Sequence, residues 1–286
     1  MYTLKIQNAS GELFDLTHDR SAYSLIKVTG LTPPKAQINT TTAGVLDGTF
    51  FNSARVDERN IVLTVVIEGD IETNRQQLYR IFPSKSKCRV YFKNANMDVQ
   101  IDGYVEVVDG DLFVKREQMQ ISIICPRPFW QALSEVAYEL STTLRRFEFP
   151  FSIEESPGVP ISEYSPNPQI FLYNDGSVPC GFTASIEISG SCTGLTLYNL
   201  TTQTKIGLLP SISLQSGDVV EISTIPGSLS IKLRRESDEI NLINWLSTGS
   251  TFFTLATGEN ILYYDMTGSS SDVHCDIFPV FLYGGV

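Results

Sequence analysis

The sequence predicts a mainly β protein in two parts, the first of which carries one short helix. Short runs of alternating apolar and polar residues, broken by Gly, Asp and Asn turns, fill most of the chain. Only one segment, beginning at Ile71, spaces its apolar residues as a helix does. A proline-dense stretch around residues 147 to 168 coincides with a break in charge: residues 1–146 hold 17 Lys+Arg against 17 Asp+Glu, residues 147–286 hold 4 against 15. The whole net charge of −11 therefore sits in the second part. With 286 residues, the length of two ordinary domains, the expected division is a domain over 1–146, a Pro-rich linker over 147–168 and a second domain over 169–286.

In the first part, Tyr2-Thr3-Leu4-Lys5-Ile6 alternates and Tyr23 to Val28 is a second apolar run. The polar stretch from Thr32 through Thr42 to Gly48 reads either as a loop or as an arm ordered by a neighbour, and it ends at Asp47-Gly48, a tight-turn signal, before Thr49-Phe50-Phe51. Arg59 to Ile67 is a strongly apolar strand stopped by Gly69-Asp70. The helix follows, with Leu78, Tyr79, Ile81 and Phe82 as its apolar positions, Glu72 and Arg75 outward, and Pro83 as terminator. Cys88 to Phe92, Val99 to Val108 and Leu112 to Ile124 read as strands, with a tight turn at Asp109-Gly110-Asp111. Cys125-Pro126-Arg127-Pro128-Phe129-Trp130 closes the last of them. Cys125, Phe129 and Trp130 read as packing at the bottom of the domain, or alternatively as a subunit contact.

In the second part, strands are expected at Ile170–Tyr173, Phe182–Ile188, Leu195–Tyr198, Thr204–Gly207, Val219–Ile222, Leu229–Leu233, Phe252–Leu255, Ile261–Tyr264 and Ile277–Leu282. Turns such as Asn174-Asp175-Gly176, Ser216-Gly217-Asp218 and Thr257 to Asn260 separate them at the spacing of a β-sandwich.

The composition argues against most chemistry. Hydrophobic residues make up 42%, and no run of residues is long and apolar enough for a membrane span. The residues after Met1 lack the basic and apolar regions of a secretion signal. Five cysteines, Cys88, Cys125, Cys180, Cys192 and Cys275, show no metal or disulfide spacing, which fits folding in a reducing cytoplasm. The two histidines are His18, in a turn, and His274, whose neighbour Cys275 faces the other side of its strand, so no catalytic couple forms. Phosphate-cradling glycine motifs are missing, and four cations in the second part do not make a nucleic-acid face. The expectation is a protein that is not an enzyme and needs no cofactor or metal, although 32 acidic residues leave a glycosidase-type carboxylate pair open.

The order Gly48-x-Phe50, Arg59-x-Ile61, Gly69-Asp70, a helix with Leu78 and Phe82, a strand pair, Cys125-x-x-Pro128-Phe129-Trp130 and then Phe147-x-Phe149-Pro150-Phe151 resembles the distal tail protein (Dit) family of long-tailed phages. The resemblance implies an N-terminal ring-forming β-barrel or sandwich and a C-terminal galectin-like jelly-roll sandwich. It further implies a homohexameric hub in the virion, assembled in the host cytoplasm, that joins the tail tube protein to tail-tip and receptor-binding proteins and lets DNA pass. Gly48, Phe50, Arg59, Leu78, Phe82, Cys125, Pro128, Phe129 and Trp130 are the assembly positions it marks. The galectin sugar motif is absent, the second part having one histidine in His274-Cys275-Asp276 and one tryptophan in Asn244-Trp245-Leu246. A carbohydrate-binding module using Trp245 or Tyr263 for stacking is the alternative.

Overall fold

The computed structural model describes residues 2–17, 22–42, 44, 47–111, 114, 116–134, 136–140, 143–145, 162–164, 169–268 and 273–286, the pairs of strands at 143–145 and 162–164 by backbone alone. His18, Leu46 and the Phe147 to Phe151 motif lie outside the described residues, as does the expected linker except for Ser162–Tyr164. The chain forms two units, residues 1–134 with 282–286, and residues 135–281.

The first unit contains β1 (Thr3–Gln7), β2 (Leu13–Asp15), β3 (Tyr23–Thr29), β4 (Ala36–Thr42), β5 (Thr49–Val56), β6 (Arg59–Ile67), α1 (Ile71–Ile81), β7 (Lys87–Lys93), β8 (Asp98–Gly110), β9 (Gln118–Cys125) and β10 (Trp130–Ala132). Its main sheet has the order β2-β1-β7-β8-β9-β6-β3, with β10 paired to β8 and the returning residues Leu282–Tyr283 paired to β10. Leu4 and Ile6 of β1 share one core with Ile61, Leu63 and Val65 of β6, four places away in the sheet order, so the sheet curls around its own buried face. That one-sided burial is why β6 and β7 alternate so plainly.

Helix α1 closes the core. Asp70 caps it, its carboxylate accepting from the Thr73 N–H at 3.3 Å and the Thr73 hydroxyl at 2.8 Å, and Leu78, Ile81 and the following Phe82 are buried. Tyr79, expected among the apolar positions, faces outward, and Arg75, expected to be solvated, is mostly covered and pairs with Glu117 at 2.8 Å.

Two strand expectations in this unit change. Ala36–Thr42 is a strand, paired with β5 in a separate two-stranded sheet. Its residues are exposed on both faces, so no apolar alternation announces it. Asp109 and Gly110, expected in a tight turn, are strand residues, because β8 continues to Gly110, opposite Met119, and β9 starts at Gln118.

The second unit contains β11 (Tyr138–Leu140), β12 (Thr143–Arg145), β13 (Ser162–Tyr164), β14 (Gln169–Asn174), β15 (Phe182–Ile188), β16 (Cys192–Asn199), β17 (Thr204–Gly207), β18 (Ser213–Leu214), β19 (Val219–Ser223), β20 (Ser230–Arg235), β21 (Asp238–Asn241), β22 (Gly258–Gly268) and β23 (Val273–Pro279); β24 (Leu282–Tyr283) belongs to the first unit. A six-stranded sheet, β11-β23-β15-β19-β20-β21, and a five-stranded sheet, β14-β22-β16-β17 with β18 on β16, supply a core that includes Phe182, Ile186, Val220 and Ile277 from one and Leu172, Leu197, Leu262 and Tyr264 from the other. Phe252–Leu255, expected as a strand, makes only a bridge from Leu255 to Cys180. Tyr138–Leu140 pairs with β23, and β12 pairs with β13 across the proline-rich stretch. The two units divide at Ser134/Glu135, and backbone pairing, which charge counts do not register, puts residues 138–140 in the second sandwich.

The turn into β19 is held by Asp218, whose nearly covered carboxylate accepts from Arg235 at 2.8 and 2.6 Å and from the Gln215 N–H at 2.8 Å. Arg235 keeps its pKa below the ordinary carboxylate value. A depressed folded pKa contributes stability that is present above the unfolded value near pH 4 and lost as the pH falls through the folded one. Asp218→Asn is expected to destabilise the second unit by about 1–3 kcal/mol at pH 7, with the difference from the unaltered chain shrinking below about pH 4 in acid-denaturation curves followed by circular dichroism.

Candidate assembly site

Arg59, the first residue of β6, is 3% exposed. Its guanidinium donates from Nε to the Pro128 carbonyl at 2.6 Å, from Nη1 to the Thr32 carbonyl at 2.8 Å and to the Gly30 carbonyl, and from Nη2 to the Gly284 carbonyl. It also lies 5.7 Å from the centre of the Trp130 ring. Burial lowers its pKa, and among the described residues no carboxylate pairs with it. Backbone carbonyls from three otherwise irregular segments thus take the place of a counter-ion. Gly30, with φ +84°, is required here, since a Cβ would stand 2.1 Å from the Asn60 carbonyl oxygen.

The segment Gly30–Thr32 leads into the β4–β5 hairpin. The two strands pair from Ala36↔Val56 to Thr42↔Thr49, with a bulge between Asn39 and Thr40. Side chains bridge them as well: Asn39 Nδ2 donates to Ser53 Oγ at 3.0 Å, and Asn52 Nδ2 to Thr41 Oγ1 at 2.6 Å. Among the described residues no third strand joins this sheet. Ile38, Phe50 and Phe51 are 63%, 62% and 65% exposed, and the adjacent Phe50 and Phe51 put an aromatic ring on each face of the ribbon. A lone two-stranded hairpin is marginal in water, and bare aromatic rings on both faces are the composition of an interface anchor.

The nine positions marked in the sequence fall into four places. Gly48, with φ +94°, and Phe50 belong to the hairpin. Leu78 and Phe82 are core residues of α1 and its cap. Arg59, Cys125, Pro128 and Trp130 meet at the buried guanidinium, with Cys125 directly opposite Arg59 in the β6–β9 register. Phe129 is half-buried and lines a shallow cavity of about 360 Å³ with Lys87, Asp102, Tyr104 and Arg127. Ile38 and Phe51 were not marked; their signal was an apolar side chain within or beside a polar run. Gly30, Thr32 and Gly284 act through carbonyls, which carry no residue-type signature.

Groups with catalytic potential are differently placed. His274 Nε2 lies 3.3 Å from Asp276 and Nδ1 3.8 Å from Glu139, while Cys275 points into the core. Burial pushes the thiols of Cys88, Cys125 and Cys180 up to about 12. Among the described residues no three His, Cys, Asp or Glu side chains are grouped to hold a metal.

Trp130 is fully buried against Phe92, and its indole N–H finds no acceptor among the described residues. Trp130→Ala is expected to cost about 3–5 kcal/mol in chemical denaturation. Trp130→Phe should cost distinctly less, because it removes an unpaired donor along with the lost volume. Arg59→Lys should also destabilise, by about 1–3 kcal/mol, since an ammonium does not reproduce the planar fork that reaches three segments at once.

Residues 175–277 match the family model described as the C-terminal domain of the siphovirus-type tail component SPP1_Dit. No curated protein sequence matches the chain. Among solved structures, the Dit protein (gp 19.1) of phage SPP1, described as a paradigm of the hub adsorption apparatus in phages infecting Gram-positive bacteria, superposes with a TM-score of 0.69 at 12% identity, covering 98% of both chains. Chains of the phage P2 baseplate in its activated conformation with Ca, and of the phage p2 baseplate with Sr, give TM-scores of 0.53 and 0.52 at 10% identity, covering 97% of this chain and 98% of theirs. Residues 175–277 are therefore similar to a siphovirus-type tail component domain, and the chain as a whole has the fold of the SPP1 Dit protein.

Proposed function

We propose that this protein is the hub subunit of a phage tail tip, six copies closing a ring through which DNA passes. The observation that carries the reading is the β4–β5 hairpin, whose strand residues are all exposed and which bares Ile38, Phe50 and Phe51. A cyclic ring needs a heterologous contact, an arm on one face received by a different patch on the next copy. The first unit holds 15 Lys+Arg against 15 Asp+Glu and is the ring former; without excess positive charge its channel would not retain a passing polyanion. The second unit, with 6 against 17, offers acidic docking faces to tail-tip and receptor-binding proteins. Its six-over-five strand layering supports a galectin-like reading. The tail tube protein docks on the ring, and the subunit works in the virion after assembly in the host cytoplasm, as a structural part and not as an enzyme.

A second reading, a carbohydrate-binding module, draws on the outer face of the five-stranded sheet. Phe171 and Tyr173 are 62% and 63% exposed there, and the Tyr198 and Tyr263 rings meet at 5.8 Å. Trp245 sits apart, in a 3-10 turn over Ile243–Trp245.

Native mass spectrometry with negative-stain imaging separates the readings. Six-fold rings with an open centre are expected, and the double change Phe50→Ser, Phe51→Ser should leave monomers whose thermal midpoint is unchanged, because both side chains are solvated in the free subunit. Monomers from the unaltered chain at every concentration, with wall-glycan binding lost in Phe171→Ser, Tyr173→Ser, would favour the second reading.

A further inference from the structure

The residues that return from the second unit to the first meet the root of the hairpin. Leu282 and Tyr283 pair with Gln131 and Trp130. The Gly284 carbonyl then accepts from Arg59, the same guanidinium that grips Gly30 and Thr32. Next, Gly285 lies against Pro33 so closely that a Cβ would stand 2.6 Å from Pro33 Cδ and 2.8 Å from its nitrogen. Finally the Val286 N–H donates to the Leu31 carbonyl at 3.2 Å, and the Val286 side chain packs on the core. Gly285 and Val286 thus touch the segment Gly30–Pro33 directly and Gly284 is joined to it through Arg59, and only Pro34 and Lys35 separate that segment from β4.

We infer that Leu282–Val286, locked by Arg59, is a positioning clamp that sets the direction in which the β4–β5 arm leaves its subunit toward a second copy of this chain. The inference rests on the arm reading above and adds a dependence to it. Among the described residues no other strand pairs with the hairpin, so its direction is fixed where it is rooted. The root segment carries two prolines, Pro33 and Pro34, which stiffen it and pass its orientation on to β4. Its carbonyls at Gly30, Leu31 and Thr32 are all held by Arg59 or Val286. Because residue 281 belongs to the second unit and residue 282 to the first, the clamp is reached only by chain that has already passed through the second sandwich. An arm poised for assembly is then a property of the completed subunit, and a subunit whose second unit is unfinished does not present it.

The test measures arm direction and assembly separately in the full chain. Spin labels at Thr42→Cys in the hairpin and Gln77→Cys on the exposed face of α1 report the distance between arm and core; the five native cysteines are buried and do not compete for label. Labelling is done in the Phe50→Ser, Phe51→Ser background to keep subunits apart. A narrow distance distribution is expected with the clamp intact. It should broaden on deletion of Gly284–Val286 and on Gly285→Val, which keeps every other side chain, while hydrogen exchange in β6–β9 stays unchanged. The same two clamp changes in the chain with Phe50 and Phe51 restored should abolish rings. An unbroadened distribution, or loss of β6–β9 protection in both clamp variants, overturns the inference, the latter because the segment would then be ordinary core. Rings that persist in Phe50→Ser, Phe51→Ser overturn the arm reading itself; rings lost there but kept in both clamp variants overturn the clamp alone.

Discussion

A single guanidinium, buried without a carboxylate, is the constraint on which the first unit depends. Taking a cation out of water is costly unless its donors are satisfied, and Arg59 meets that condition with carbonyls of Gly30, Thr32, Pro128 and Gly284. Each of those carbonyls belongs to a segment outside the sheet ladders and would itself be an orphan if it were buried alone. The arrangement is reciprocal: irregular backbone neutralises the cation, and the cation gives irregular backbone a defined place. Trp130 completes it by covering the guanidinium with an aromatic face while filling the core beneath.

The second unit is built on a different principle, with two outer faces of opposite character. On the six-stranded sheet, Lys232 and Glu239 meet at 2.7 Å, Arg234 pairs with Glu221, and His274 lies 3.3 Å from Asp276. Exposed pairs of this kind add little stability, yet they keep that face hydrated. On the five-stranded sheet the corresponding outward positions hold Phe171, Tyr173, Tyr198 and Tyr263. Cross-strand register puts Gln169, Tyr263, Tyr198 and Lys205 in one row, so the aromatic surface follows from alternation along three adjacent strands.

What could be read in the sequence was whatever one-sided burial writes into it. The strands β6, β15 and β17, the Gly69-Asp70 stop and the Leu78 face of α1 were legible because core and solvent impose opposite residue types on alternate or helically spaced positions. The strand β4 and the exposed β21 were not, since a strand wet on both sides has no pattern to show. Phe252–Leu255 misled in the other direction: Phe253 and Leu255 are buried, but without the ladder that alternation usually accompanies. At the candidate site, Arg59, Cys125, Pro128 and Trp130 stood out as residues, whereas their meeting point did not. Its remaining partners are main-chain oxygens, one of them far along the chain at Gly284, and a carbonyl looks the same in every residue.

The five cysteines are all buried and none forms a disulfide. Neither unit relies on a cross-link that a reductant could open, and none of the thiols is presented where an oxidant could reach it. A fold of this kind keeps one covalent structure in reducing and in oxidising surroundings alike.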